Sequence, residues 1–99
     1  MDLVKSIRMA IDTGKVIIGS RETKRSIVHG EGKLVIMANN CPEDVVKDME
    51  YYSNLSNIPI LKYAGTSIEL GEVCGLPHSI SMMVVISEGN SDILSAIKK

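Results

Sequence analysis

At 99 residues, with 44% hydrophobic and 23% charged positions, the chain has the length and balance of one globular domain that buries a core without disulfide staples. Its net charge of −1 argues against a generic polyanion binder. No apolar run approaches the roughly 18 residues of a membrane span, and no secretion signal is visible at the N-terminus.

The predicted elements alternate between helix and strand. Asp2 to Thr13 places Leu3, Val4, Ile7, Ala10 and Ile11 at helical spacing, an amphipathic stripe that leaves Lys5, Arg8 and Asp12 to solvent. Gly14 is expected to cap that helix in a left-handed conformation. Val16-Ile17-Ile18 is short and β-branched throughout, which predicts a strand. It breaks at Gly19 and turns into a polar helix from Ser20 to about His29, ended by Gly30-Glu31-Gly32. Lys33 to Ala38 is, after its opening lysine, a continuous apolar run, the mark of a strand covered on both faces, and Asn39-Asn40 forms the turn out of it. Pro42 suits a first helical position, and Glu43 and Asp44 suit the positive end of a helix dipole. That helix runs to about Ser56 with Val45, Val46, Met49, Tyr52 and Leu55 expected inward. Ile60-Leu61-Lys62-Tyr63 is a third strand. Thr66-Ser67-Ile68-Glu69 matches the capping box and predicts a short helix ending near Gly75. After the loop Leu76-Pro77-His78-Ser79, Ile80 to Ser87 is the fourth strand, and a last helix carries Ile93, Leu94 and Ile97. The pattern predicts an α/β protein: a three-layer α/β/α sandwich around a single mixed sheet of about four strands, within one domain over 1–99.

The candidate chemistry is thin in catalytic groups. The two histidines, His29 and His78, are far apart, and His29 falls near a helix C-terminus, where a cation is favourable for structural reasons. The Gly19 corner has neither GxxxxGKS/T nor GxGxxG spacing, so it is no nucleotide phosphate loop. Cys41 and Cys74 lack a CxxC pairing or a His at ligand spacing. They read as reduced, small hydrophobes, and no metal or cofactor is expected. An enzyme is not expected.

The Gly19 corner is different. Glycine has no Cβ, so the backbone there allows close approach, and the N–H groups of the following helical turn favour negative charge. Arg21, Lys24 and Arg25 fall three and four apart, sharing a face beside those N–H groups, with Glu22 next to them. Read plainly, they form a solvated helix face; read functionally, they grip phosphate. The charge is polarised in the same sense. Residues 1–40 hold seven Lys/Arg against four Asp/Glu, and residues 41–99 hold four against eight. Such a split steers a polyanion to one side. The Leu76–Ser79 loop adds an apolar residue, a rigid proline and a ring, the side chains that meet splayed RNA bases.

On these residues the chain resembles a known family. The matching segments are Asp12-Thr13-Gly14-Lys15, Gly19 with its basic helix, Asp48-Met49-Glu50-Tyr51-Tyr52, Ser56-Asn57-Ile58-Pro59, and Gly65 to Gly71 continuing through Gly75-Leu76-Pro77-His78. They resemble the L-thirty-e (L30e) family of archaeal and eukaryotic large-subunit ribosomal proteins, which is similar to the wider L-seven-Ae (L7Ae) group of kink-turn and internal-loop RNA binders. The resemblance implies an α/β/α sandwich and ribosomal RNA as partner. It also implies a place in the cytoplasmic ribosome beside other large-subunit proteins, with no membrane and no small-molecule substrate, and a monomer when free. It implies that Gly19, Ser20, Arg21, Glu22, Lys24 and Arg25, with Pro77, His78 and Ser79, approach the RNA. The L7Ae pattern starts Gly-x-Asn-Glu, whereas Arg21 stands in the asparagine position here, which favours the ribosomal assignment over a free kink-turn protein of guide ribonucleoproteins. A protein–protein adaptor on the same fold is the alternative from another class, prompted by the acidic second half.

Overall fold

The computed structural model describes residues 3–94. Its elements run α1 (Leu3–Thr13), β1 (Lys15–Ile18), α2 (Ser20–Val28), β2 (Leu34–Met37), α3 (Glu43–Ser56), β3 (Ile60–Lys62), α4 (Ser67–Val73) and β4 (Met82–Ser87). The strands form one four-stranded sheet in the order β1-β4-β2-β3. β4 pairs antiparallel with both β1 and β2, and β2 pairs parallel with β3, so the sheet is mixed, as the short outer strands suggest.

The two central strands explain the layers. Successive strand side chains point to opposite faces. Leu34 and Ile36 of β2 and Met83 and Val85 of β4 therefore join one core, with Ile7 and Ala10 of α1 and Leu70 and Cys74 around α4. Val35, Met37, Met82 and Val84 join the other, with Ile27 of α2 and Met49 of α3. All eight of these strand residues are buried, which is why both runs are apolar without alternation. The result is the expected α/β/α sandwich, with α1 and α4 on one face and α2 and α3 on the other.

Several local expectations need correction. Gly14 is not left-handed. A side chain is excluded there because a Cβ would lie 2.1 Å from the Ser87 carbonyl oxygen, so packing and not capping requires the glycine. Leu55 points outward and is 66% exposed. At 100° per residue it lies about 240° around α3 from buried Met49, away from the sheet. Val4 is exposed too, at the margin of the α1 stripe. Pro42 is the N-cap of α3, not its first helical residue. Ile80 precedes β4, its N–H bonding to the Ser67 carbonyl at 2.9 Å. Ile93 is buried, as its apolar character requires. The expected helix start at Asp2 and the last helix beyond Leu94, with Ile97, lie outside the described residues. The capping box forms as predicted: the Glu69 N–H donates to Thr66 Oγ1, and the Thr66 N–H donates to Glu69 Oε1 at 3.0 Å.

Candidate nucleic-acid interface

Gly19 is the pivot between β1 and α2. Its φ of 111° and ψ of 147° lie in a region closed to residues with a Cβ. Its N–H donates to the Met82 carbonyl at 3.1 Å, and its own carbonyl accepts from the Thr23 N–H at 2.9 Å. A Cβ built on it meets no atom within 4 Å. The conformation demands glycine, while the space in front of it is open to an outside group. No side chain caps α2, and Ser20, Arg21 and Glu22 are exposed, so the first N–H groups of the helix face solvent.

The three cations of α2 do not share one narrow face. Adjacent helical residues differ by about 100°, so Lys24 and Arg25 fall on opposite flanks with Arg21 between them. Arg21 and Lys24 line a depression of about 270 Å³ between α2 and α3, together with Ser20, Val45, Asp48 and Met49. Lys24 Nζ lies 4.0 Å from Asp48 and 5.3 Å from the centroid of the Tyr52 ring. Arg25 and Glu22 instead line a separate hollow of about 470 Å³ with Ile17, Ser26, His29 and Glu31. His29 is the C-cap residue of α2, and its Nδ1 lies 2.8 Å from the Arg25 carbonyl, to which it donates. This accords with a structural reading of His29.

The second segment is seated by its backbone. Pro77, His78 and Ser79 are exposed, while Leu76 packs on the core. A Cβ on Gly71 would lie 2.1 Å from the His78 carbonyl oxygen, so the loop rests directly on α4 with its side chains outward. His78 Nδ1 lies 3.2 Å from the Ser79 carbonyl. The antiparallel β1–β4 register, Ile18 opposite Met83, sets the end of β1 beside the start of β4. Ser79 is three residues from Met82, a chain length of about 11 Å at most. The two segments therefore stand at the same end of the sheet, but α2 covers one face and α4 the other.

At the same end, the Asn39-Asn40 turn does more than reverse the chain. Asn40 Oδ1 accepts from the Ser67 N–H at 2.9 Å, and its Nδ2 donates to Ser67 Oγ at 3.3 Å. Ser67 in turn holds Ile80, and the Ser81 carbonyl accepts from the Ala38 N–H at 2.9 Å and from Cys41 Sγ at 3.0 Å. Asn40 thus positions the β2–α3 turn against α4 and the segment that follows Ser79. A bridge over 27 residues leaves no local signal in a sequence.

Burial pushes the Cys41 thiol up, with a hydrogen bond to Ala38 opposing it. Burial likewise pushes Cys74 up to about 11, against the opposing charge of Arg8. Near neutral pH both are thiols, not the thiolates that attack or bind metal. Among the described residues no helix is long and apolar enough to cross a membrane.

With that geometry in hand, comparison with known proteins is specific. Residues 1–95 match the model of the Ribosomal protein L7Ae/L30e/S12e/Gadd45 family. The chain is 50% identical over 99 residues to the large ribosomal subunit protein eL30 of Methanocaldococcus jannaschii, covering 100% of this chain and 90% of that one. It is 48% identical over 97 residues to the eL30 of Methanothermobacter thermautotrophicus, covering 98% of this chain and 99% of that one. A solved structure of a protein with unknown function from Bacillus halodurans C superposes with a TM-score of 0.83 at 20% identity, over 96% of this chain and 94% of that one. At that identity the likeness concerns the fold alone.

Proposed function

Because the chain belongs to the Ribosomal protein L7Ae/L30e/S12e/Gadd45 family, we propose that it is a structural constituent of the large ribosomal subunit, not an enzyme, and that it binds ribosomal RNA as a single domain. The observation that carries this reading is the identity of about half, over nearly full length, to proteins named large ribosomal subunit protein eL30. Its place is the cytoplasmic ribosome, among other large-subunit proteins, and the free chain is a monomer.

The residues divide the work by chemistry. Gly19 lets an RNA backbone approach the strand–helix corner, where the uncapped N–H groups of Ser20 and Arg21 favour phosphate. Arg21, Lys24 and Arg25 supply cations on two flanks of α2, so they meet phosphates on a turning backbone and not on a straight one. Glu22, acceptor-only when ionised, faces the Arg25 side and suits a base-edge amino group. Pro77, His78 and Ser79 pack against an exposed base from the other face of the sheet. An RNA held at both places must bend around the end of the sheet, as an internal loop or kink-turn does.

The test is binding of a large-subunit rRNA internal-loop fragment at several salt concentrations. Three phosphates neutralised on single-stranded or looped RNA give a log–log slope of about −2 to −3. Arg21→Ala and Arg25→Ala each flatten it by about 0.7–1 and weaken binding, with unchanged circular dichroism. Affinity indifferent to salt, or to both substitutions, returns the cations to a solvated helix face.

A further inference from the structure

We propose that the depression between α2 and α3 is a pocket for one unpaired guanine base, with Asp48 as the residue that reads it. The inference rests on the RNA-binding reading above and extends the α2 corner onto α3, through Val45, Asp48 and Met49.

The pocket has the composition of a base site. Its volume is about 270 Å³, and it is lined by Ser20, Arg21, Lys24, Val45, Asp48 and Met49. That is just below the roughly 300–1,000 Å³ of cavities for drug-sized ligands, a size for one flat ring system. Met49 is 1% exposed and Val45 half-buried, giving an apolar floor for a ring face. Arg21 and Lys24 stand on the α2 wall, where the phosphate of an inserted nucleotide would lie. The hollow on the other flank of α2, by contrast, is walled mainly by the polar side chains of Glu22, Arg25, Ser26, His29 and Glu31, beside Ile17, and offers a ring face less apolar floor.

Asp48 sets the choice of base. An ionised carboxylate accepts hydrogen bonds with both oxygens and donates none. On its Watson–Crick edge, guanine offers two donors side by side, N1–H and the N2 amino group. Adenine and cytosine each set one donor beside an acceptor, and uracil flanks its single N–H with two acceptors; each acceptor would face a carboxylate oxygen. Only guanine matches Asp48 with both oxygens used. The present partner of Asp48 is Lys24 at 4.0 Å, with both side chains about half exposed or more, and an exposed pair of this kind contributes little to the fold. Insertion exchanges partners: Lys24 turns to the nucleotide phosphate, and Asp48 turns to the base.

The probe is a set of four RNA duplexes with the same asymmetric internal loop, each carrying a single unpaired A, C, G or U, titrated against the full chain. Guanine should bind tightest by roughly tenfold or more, the scale of one bidentate base contact. Inosine, which lacks the amino group, should lose part of that preference. Asp48→Asn replaces one acceptor oxygen with a donor and should move the preference from guanine to adenine and cytosine, which each set a donor beside an acceptor, an outcome that a merely structural role would not produce. Equal binding of all four bases by the native chain, or an Asp48→Asn chain that still prefers guanine, overturns the pocket and leaves the RNA reading standing. Failure of all four RNAs to bind at low salt overturns both.

Discussion

Gly19 concentrates the residue-scale argument, because one backbone conformation and one open space meet there. At φ 111° and ψ 147°, Gly19→Ala should cost of the order of 1–3 kcal/mol, although nothing blocks the added methyl group. The check is the urea midpoint at unchanged slope; a midpoint equal to that of the native chain contradicts the assigned backbone. Cys74 gives a second prediction, in pH. Its thiol is raised from 9.0 to about 11, chiefly by burial, so the folded chain holds that proton more tightly than the unfolded one. The stability this contributes is fully present below about pH 9 and is lost as pH rises through about 11. Compared with the native chain, Cys74→Ala should show a shallower loss of stability across that window. Parallel curves would mean that the thiol is not desolvated.

At the scale of elements, the short α4 depends on its ends. It has only seven residues, Ser67–Val73, too few to persist without help. Thr66→Ala removes the reciprocal cap with Glu69 and should cost about 0.5–2 kcal/mol, read by thermal unfolding; Thr66→Ser should restore most of it. Because Ser67 also holds Asn40 and Ile80, the loss should reach the Pro77–Ser79 loop and lower RNA affinity as well. The elements themselves were legible in the sequence. Leu34–Ala38 and Met82–Ile86 announce buried strands by unbroken apolar character, and Thr66–Glu69 announces a helix start by chemistry that acts within four residues. What was illegible depends on partners distant in the chain. The order β1-β4-β2-β3, the closeness of Gly14 to Ser87, and the Asn40–Ser67 tie are set by packing between segments. Leu55 misled because hydrophobicity identifies a residue fit for the core without saying which direction its turn of helix will face. Spacing likewise placed Arg21, Lys24 and Arg25 together, but it took the position of α3 to show Lys24 facing Asp48 on one flank and Arg25 in a different hollow.

On the scale of the whole molecule, charge and topology agree. The described body measures 28 × 24 × 24 Å, and the two segments proposed to meet RNA stand at one end of its sheet. The basic α2 belongs to the positive first half of the chain, while α3 and α4 carry Glu43, Asp44, Asp48, Glu50, Glu69 and Glu72. Some of these carboxylates are already engaged, Glu43 with Lys47 at 3.6 Å and Glu50 with Lys62 at 3.8 Å. They still leave the outer surface of α3 short of positive charge and unattractive to phosphate. The antiparallel pairing of β1 with β4 then joins the cationic corner to the exposed loop from the acidic half. Neither half of the sequence holds the proposed interface alone. The most direct test of the central claim is crosslinking in cell extract, sequencing the RNA attached to the chain and mapping the attached peptides. The account predicts large-subunit ribosomal RNA, with crosslinks at residues 19–25 and 77–79. Recovery of small guide RNAs, or crosslinks confined to the acidic outer face of α3 with residues 19–25 untouched, would contradict it.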